Sequence, residues 1–376
     1  MRPGADEGPP TASGDGKLVI AATYARWDGY QGFNERDVFG TTDPAAIVEA
    51  VDRFCRAKLG SGVDRYEFYA TSVCGVHGVR LEDGRGVVVK VHRAGADNLH
   101  LDAVHDVQRH LVAAGFPAPA PVLGAAPLAG GIAVVDELLD RDGWEDAHEP
   151  AVRRRVAAGL ARHLELCRAL GAVPGLKTAA LVRRQLWAKP HDRRFDFVGS
   201  SAGAAWIDEL AAEARWRLDE VADANLVAGH MDWRVEHLRF KDGELTATWD
   251  WDSLSLAPEP VVVGTVAHAF VADYTVDDLR PAPTIEETLA FVADYEAARG
   301  AAFSRGERRV VYAALVAAVA YSARCEHADD LTAMGTRPPG PPPAAVPPGG
   351  FRALLASCGP ALLGVDPRAV PPVSAS

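Results

Sequence analysis

The segment from Gly229 to Asp252 constrains the fold of this chain more than any other stretch. Its central pair, Asp242-Gly243, is typical of a tight turn, and short apolar runs stand on both sides, so the segment predicts a β-hairpin. Strand pairing would then bring His237 and Asp250 together at one end of the hairpin. Asp232 stands in the loop that leads into the same end. Two carboxylates and an imidazole placed in this way are suited to metal binding or to general base catalysis.

The charge of the chain limits its partners. Lys and Arg total 39 against 51 for Asp and Glu, which gives a formal net charge of −12. Such an excess of negative charge disfavours nucleic acid and anionic membrane surfaces, and it suits cationic small molecules better. The five cysteines are widely scattered and form no CxxC pair, so a disulfide scaffold and a cysteine zinc site are both disfavoured. The oligomeric state is left open.

The two ends of the chain differ in composition from its middle. Residues 1–16 carry Pro, Gly and Asp where a signal peptide needs an apolar core, and we expect a disordered leader there. No apolar run approaches the roughly 18 residues that span a bilayer, so the cytoplasm is the expected location. Residues 337–350 resemble a polyproline-like linker, and the apolar stretch 351–365 is expected to dock on the body of the protein.

Helix and strand patterns divide the middle of the chain into two parts. Asp43-Pro44 is an N-cap followed by a first-turn proline, and Gly60 ends the helix that these residues predict over 44–59. Residues 284–287 and 304–307 have the sequence of capping boxes. Further helices are predicted at about 101–115, 151–171, 202–222, 284–299 and from 304 onward, and strands at 18–20, 75–81, 87–91 and 131–135, with a hairpin at 238–249. The arrangement is α+β, with a strand-rich N-terminal part and a larger helical part.

Lys90 is a candidate for binding phosphate. Three valines precede it and one follows, which predicts a buried strand where an unpaired ammonium would be costly. Gly75 and Gly78, in the hairpin before this lysine, form a GxxG that fits either a plain hairpin or a phosphate cradle. The acidic pair Asp136-Glu137 follows the next apolar strand. The order of these features along the chain is typical of kinases: a strand that carries a lysine, an inserted helix, an acidic connection and two later aspartate motifs.

With these motifs in this order, the chain resembles the aminoglycoside phosphotransferase and choline kinase-like family, which are small-molecule relatives of protein kinases. The sequence HMDWRVEH followed by WDW is similar to the HGDxxxxN and IDW motifs of that family, and the resemblance covers about residues 62–330. It implies a bilobal protein kinase-like fold with a small strand-rich N-lobe and a larger helical C-lobe. The implied organisation is a leader (1–16), an N-terminal extension (17–60), a nucleotide-binding N-lobe (61–139), a catalytic and acceptor-binding C-lobe (140–336), and a Pro-rich linker and tail (337–376).

The resemblance also implies a role for each matching residue. Asp232 would orient the acceptor hydroxyl and accept its proton, and Asp250 would hold Mg²⁺ against the nucleotide phosphates. Lys90 would contact the α- and β-phosphates of ATP or GTP beneath a turn formed by residues 72–78. The adenine would lie against the connection between the lobes, at Asp136-Glu137-Leu138-Leu139.

The chain departs from the family pattern at three places. His237 occupies the second metal position, where the family has Asn, and an imidazole is a poorer partner for hard Mg²⁺ than an amide oxygen. Met231 replaces a glycine, which puts a side chain into a tight turn. The glutamate that pairs with the strand lysine is missing, and Asp102 and Asp106 are alternative substitutes for it.

Two hypotheses about function fit these features. The first is an ATP- or GTP-dependent O-phosphotransferase that acts on a hydroxylated small molecule, such as an aminoglycoside, an amino sugar or an amino alcohol. A cationic acceptor is favoured by acidic residues in the region where this family builds its acceptor site, namely Asp273, Asp277, Asp278, Glu286 and Glu287. The second is a nucleotide-binding pseudokinase or regulatory module without efficient transfer, motivated by His237 and Met231. Turnover distinguishes the two hypotheses.

Overall fold

The chain forms two compact units, Met1–Arg141 and Asp142–Ser376. The computed structural model describes residues 15–26, 32–71, 73–171, 173–180, 186–187, 190, 195–221, 225–276, 279–333, 346, 348–366, 370–371 and 373. Residues 1–14 of the expected leader, Ser72, Asp277, Asp278 and most of the Pro-rich linker lie outside these ranges.

A five-stranded antiparallel sheet forms the centre of the first unit. Its strands are β1 (Val63–Thr71), β2 (Gly75–Leu81), β3 (Gly86–His92), β4 (Pro121–Leu128) and β5 (Gly131–Glu137), in the order β1-β2-β3-β5-β4. The hairpin predicted from the strands at 75–81 and 87–91 is therefore confirmed, with Gly78 paired to Val88 and Val76 paired to Lys90. Lys90 lies on the central strand, where it also pairs with Val134 of β5.

The N-terminal extension covers one face of this sheet. It contains three helices, α1 (Gly16–Arg26), α2 (Phe33–Phe39) and α3 (Pro44–Leu59). Buried side chains of α1 and α3, including Ile20 and Ile47, share one apolar core with Val87, Val89 and Val91 of β3. Because side chains alternate along a strand, Lys90 belongs to the opposite face. The extension is thus part of the core of the first unit.

The strand predicted at residues 18–20 is wrong, because these residues lie within α1. Val19 and Ile20 are buried against the sheet, whereas Leu18 is 68% exposed. A short apolar run carries no clear period, so contacts with the rest of the fold decide between helix and strand. Here helix α1 packs Val19 and Ile20 against the sheet and leaves Leu18 on its exposed side.

Removal of apolar volume from α3 should destabilise the first unit. Ile47 is completely buried in the shared core, so Ile47→Ala should lower the free energy of unfolding by about 2–5 kcal/mol. The matched substitution Leu18→Ala, at an exposed position of α1, should change it by less than about 0.5 kcal/mol. Urea titrations followed by circular dichroism measure both. Equal effects of the two substitutions would show that the extension does not pack as described.

Helix α4 (Asn98–Ala113) packs against the sheet on the face that carries Lys90. It begins three residues earlier than predicted, because the carboxylate of Asp97 accepts a hydrogen bond from the backbone N–H of His100 (3.4 Å) and caps the helix. Gln108 of α4 donates to Asp136 of β5 (3.2 Å), and Asp136 pairs with Val88, on the same face as Lys90. The inserted helix therefore covers the face opposite to the N-terminal extension.

The second unit is mostly helical. Its helices are α5 (Pro150–Arg168), α6 (Ala205–Asp219), α7 (Glu259–Ala267), α8 (Ile285–Arg299), α9 (Arg305–Ala333) and α10 (Gly350–Leu363). Two small antiparallel sheets complete it: β6 (Leu226–His230) with β9 (Leu254–Pro258), and β7 (Leu238–Lys241) with β8 (Glu244–Thr248). The predicted hairpin at 238–249 is confirmed by the second sheet. No helix within the described residues is long and apolar enough to cross a bilayer.

The starts of α8 and α9 follow local rules that the sequence already shows, whereas the start of α10 is held by another helix. Thr284 with Glu287, and Ser304 with Glu307, each form reciprocal hydrogen bonds between side chain and backbone, so both predicted capping boxes are confirmed. The apolar C-terminal stretch forms α10, which packs on α9 and α6. Glu326 of α9 accepts hydrogen bonds from the first backbone N–H groups of α10. The expectation that this stretch docks on the body of the protein is therefore confirmed.

Candidate active site

A fully buried histidine joins the Asp232 loop to the Asp250 loop. His230, the last residue of β6, is 0% exposed. Its Nε2 donates to the carbonyl of Trp249 (3.0 Å), and its Nδ1 accepts from the hydroxyl of Ser253 (3.1 Å). His230 also pairs with Leu254, the first residue of β9, which directly follows Ser253. These contacts hold the loop that carries Asp232 close to the loop that carries Asp250.

The hairpin brings three predicted site residues together. His237 Nδ1 lies 3.8 Å from Asp232 Oδ2, and His237 Nε2 lies 3.8 Å from Asp250 Oδ2. One ligand atom from each of the three residues lies within 4.8 Å of the other two. The carboxylates are about one-third exposed, whereas the imidazole is buried. Two carboxylates and an imidazole are a donor set that binds divalent cations, so these residues fit a divalent metal ion at the position that the family resemblance implies.

The backbone at Asp250 is held in an uncommon conformation. Its φ of 66° and ψ of 42° lie in the left-handed region, which non-glycine residues adopt rarely and often at functional sites. Among the described residues, the other non-glycine residues with positive φ are Ala129, Asn225 and Asp242. Met231 is not among them, so its backbone does not have the conformation that favours glycine.

Arg234 and Glu236 belong to the site but were not predicted from the sequence. The Arg234 guanidinium donates to Asp232 Oδ1 (2.6 Å) and to Glu236 Oε2 (3.0 Å). Burial alone would raise the pKa of Asp232, but Arg234 and His237 outweigh it and hold that pKa below its ordinary value. Asp232 is therefore ionised at neutral pH. A basic residue two positions after the candidate base was the available signal in the sequence.

Two buried tryptophans anchor the loops that carry Asp232 and Asp250. Trp233 is 1% exposed, donates from Nε1 to the carbonyl of Val156 in α5 (2.9 Å), and stacks on His163 of the same helix. Trp251 is buried in an edge-to-face contact with His230. These two tryptophans therefore fill the interior of the second unit.

The buried histidines predict how the stability of the second unit depends on pH. Burial lowers the pKa of His230 to about 4 and that of His163 to about 3, from the ordinary value of 6.5. Between pH 6.5 and the lowered pKa values, the two histidines are protonated in the unfolded chain but not in the folded chain. The free energy of unfolding therefore falls as pH decreases below about 6.5.

We expect the wild type to lose stability more steeply than His230→Gln, by about 1.4 kcal/mol per pH unit between roughly pH 6 and pH 4.5. Urea midpoints at several pH values measure the difference. Parallel curves for the two proteins would contradict the assignment of a neutral His230.

The candidate phosphate-binding residues lie in the first unit. Lys90 is 8% exposed on the central strand β3. Gly75 begins β2 next to the turn, whereas Gly78 lies within β2 opposite Phe68 of β1. A Cβ at Gly78 would lie 2.1 Å from the Phe68 ring, so packing explains why this position is glycine.

The predicted adenine-binding connection has structural partners of its own. The Asp136 carboxylate faces α4, where Gln108 donates to it and His105 Nε2 lies 3.3 Å away. The backbone N–H of Glu137 donates to Ala120, and that of Leu138 donates to Gly86. The side chain of Glu137 is exposed. These bonds fix the backbone at the end of β5.

Asp102 and Asp106, the two acids predicted as alternative partners of Lys90, contact other groups in the first unit. Asp102 accepts a hydrogen bond from the backbone N–H of Ala125 (3.0 Å), which ties α4 to β4. Asp106 pairs with Arg109 on the exposed side of the helix (2.7 Å).

Among the described acidic residues expected near the acceptor, two are already engaged in the fold. Glu287 forms the capping box and contacts Arg280 and His148. The Asp273 carboxylate is buried and accepts from Thr275. Glu286 is exposed.

Comparison with a family model shows the family of the chain, and comparison with solved structures shows its fold. A sequence model described as the phosphotransferase enzyme family matches residues 76–310. A comparison with curated proteins found no match. The structure is similar to that of amicoumacin kinase hAmiN in complex with AMP-PNP, Ca²⁺ and Ami, with 15% identity, a TM-score of 0.53, and coverage of 81% of this chain and 91% of that one. It is also similar to a microcompartment-associated aminopropanol kinase, with 15% identity, a TM-score of 0.50, and coverage of 72% and 94%.

Proposed function

Because the chain belongs to the phosphotransferase enzyme family, we propose that it transfers the γ-phosphoryl group of ATP or GTP to a hydroxyl of an amine-bearing small molecule. The enzyme is a small-molecule kinase with a hydroxyl acceptor. The observation that carries the proposal is the cluster of Asp232, His237 and Asp250 at one end of the β7–β8 hairpin.

Asp232 is the residue that acts on the acceptor. Its carboxylate is ionised, partly exposed and held by Arg234, so it can accept a hydrogen bond from the acceptor hydroxyl and orient the oxygen toward the phosphorus. As the phosphoryl group leaves the nucleotide, the hydroxyl proton passes to this carboxylate. Phosphoryl transfer depends mainly on such positioning and on neutralising charge.

Asp250 and His237 would hold Mg²⁺. When bound, the cation neutralises charge on the transferring phosphoryl group and its leaving oxygen. The contribution of the protein is to fix Asp250 in its left-handed backbone conformation and to tie its loop to β6 through His230.

Residues 61–139 form the nucleotide-binding domain in this proposal, and residues 140–336 form the catalytic and acceptor-binding domain. Lys90, buried on the central strand, would contact the α- and β-phosphates. Gly75 lies next to the turn that would cover those phosphates, with Gly78 further along the same strand. The segment Asp136-Glu137-Leu138 would lie against the adenine.

An amine-bearing acceptor is supported by the charge of the protein and by one relative. The net charge of −12 favours cationic molecules over anionic ones. One kinase with a similar fold is named for aminopropanol, an amino alcohol. Of the described acidic residues in the expected acceptor region, Glu286 is exposed and can face such a molecule.

Radiolabelled ATP and GTP with Mg²⁺ test the proposal against pooled aminoglycosides, amino sugars, amino alcohols and uncharged sugars. Labelled product that appears with the amine-bearing pools, and in smaller amount with the uncharged sugars, is the expected result. Equal labelling of both kinds of acceptor would remove the amine preference. Nucleotide binding without a labelled product in any pool would favour the pseudokinase alternative.

A further inference from the structure

Resting on the proposed function, we propose that His237 binds the catalytic cation through Nε2 and makes this site selective for Mn²⁺ over Mg²⁺. The residue occupies the position where the related kinases carry Asn. Its buried ring stands between the carboxylates of Asp232 and Asp250, and its hydrogen bonds determine which nitrogen faces the cation.

The hydrogen bonds of His237 assign its tautomer. Its Nδ1 lies 2.9 Å from the carbonyl oxygen of Asp232, which can only accept, so Nδ1 carries the proton. On the other side, Nη2 of Arg234 lies 3.4 Å from Nε2, and a guanidinium can only donate. Both contacts place the lone pair on Nε2. Metal-binding histidines commonly have this arrangement, in which the other ring nitrogen donates to a backbone carbonyl.

The Nε2 atom also lies at a suitable distance from Asp250. Two atoms bound to one cation at about 2.1 Å are roughly 3.0 Å apart at right angles and roughly 4.2 Å apart on opposite sides. The separation of Nε2 from Asp250 Oδ2 is 3.8 Å, which lies within this interval. The cation would replace the long contact from Arg234, whose shorter bonds to Asp232 and Glu236 can persist.

The charge of the cluster matches one divalent cation. Asp232, Glu236 and Asp250 supply three negative charges, and Arg234 supplies one positive charge. The formal charges of these four residues leave two negative charges in excess, which a divalent ion would neutralise.

The chemistry of the donors selects among divalent ions. Mg²⁺ is hard and strongly prefers oxygen ligands, whereas imidazole suits transition metals. Mn²⁺ accepts carboxylate and phosphate oxygens and also binds imidazole nitrogen. Replacement of the amide oxygen of Asn by Nε2 of His237 therefore weakens the site for Mg²⁺ and strengthens it for Mn²⁺.

Pulsed electron paramagnetic resonance tests the nitrogen bond directly, with Mn²⁺ and AMP-PNP bound to the full-length protein. We expect nitrogen hyperfine coupling that changes to the heavy-isotope pattern when the protein is made with histidine carrying the heavy nitrogen isotope. This comparison needs no substitution, so it does not depend on the folding of a variant. It also separates histidine nitrogen from the nitrogens of adenine.

Titrations of the protein with Mn²⁺ and with Mg²⁺, each in the presence of AMP-PNP, measure the selectivity of the site. His237→Asn should lose the nitrogen coupling and reduce the preference for Mn²⁺ over Mg²⁺ by about tenfold or more, since loss of even an outer partner of a metal ligand costs at least about tenfold. The control His110→Asn, at a half-buried position of α4, should keep both properties.

Two results would overturn the inference, and they differ in what they imply for the function. Binding of Mn²⁺ with AMP-PNP but without histidine nitrogen coupling would refute the Nε2 bond and leave the kinase proposal standing. Failure of AMP-PNP to bind in the presence of either cation would refute both.

Discussion

Asp232→Asn should lower kcat about a thousandfold and leave the KM for ATP nearly unchanged. The amide has the shape of the carboxylate but cannot accept the acceptor proton, and general bases commonly contribute about 10²- to 10⁴-fold. Because Asp232 is partly exposed and its loop is held by Trp233 and His230, the variant should fold. Steady-state kinetics with the acceptor identified from the pools, and a urea midpoint for the variant, measure both expectations.

Asp242→Asn is the matched control for this substitution. Asp242 lies at the exposed tip of the β7–β8 hairpin, and Asn also tolerates its φ of 52°. Its kcat should equal that of the wild type. If Asp232→Asn kept a kcat within a few-fold of the control, Asp232 would not be the residue that acts on the acceptor hydroxyl.

Asp250→Asn should abolish the dependence of nucleotide binding on divalent cations and lower kcat by two or more orders of magnitude. Asn retains the left-handed backbone conformation found at Asp250 (φ 66°), so the change is confined to the charge of one ligand. Loss of a cation that stabilises the transition state costs several kcal/mol, and each 1.4 kcal/mol corresponds to about tenfold in rate.

Calorimetric titration with AMP-PNP, in the presence and absence of Mg²⁺, measures the coupling between cation and nucleotide. The wild type and Asp242→Asn should bind the analogue more tightly when Mg²⁺ is present, whereas Asp250→Asn should bind it equally in both conditions. Strong Mg²⁺ dependence that survives in Asp250→Asn would place the cation elsewhere.

Much of the fold could be predicted because its signals are local. Asp43 caps α3 as its sequence indicates, and Thr284 and Ser304 form their capping boxes. A valine-rich strand around Lys90 and the Asp242-Gly243 turn define the two hairpins without reference to the rest of the chain. The same hairpin geometry predicts that His237 and Asp250 lie close together.

The features that could not be predicted depend on contacts between distant segments. Residues 18–20 form part of a helix because that helix buries Val19 and Ile20 against the sheet. Glycine at position 78 is explained by Phe68 on the neighbouring strand. Arg234 controls the charge of Asp232 through a side-chain conformation that spacing along the chain does not specify.

The central claim is that the γ-phosphoryl group of a nucleotide passes to an acceptor hydroxyl held by Asp232. The most direct test uses ATP whose γ-phosphoryl oxygens carry a heavy isotope, with mass spectrometry of the phosphorylated acceptor. Transfer to the hydroxyl predicts a product that carries all the heavy non-bridging oxygens and retains the light oxygen of the acceptor at the bridge, and Asp232→Asn should form it about a thousandfold more slowly. Heavy label found only in free phosphate, or product formed by Asp232→Asn at the wild-type rate, would contradict the account.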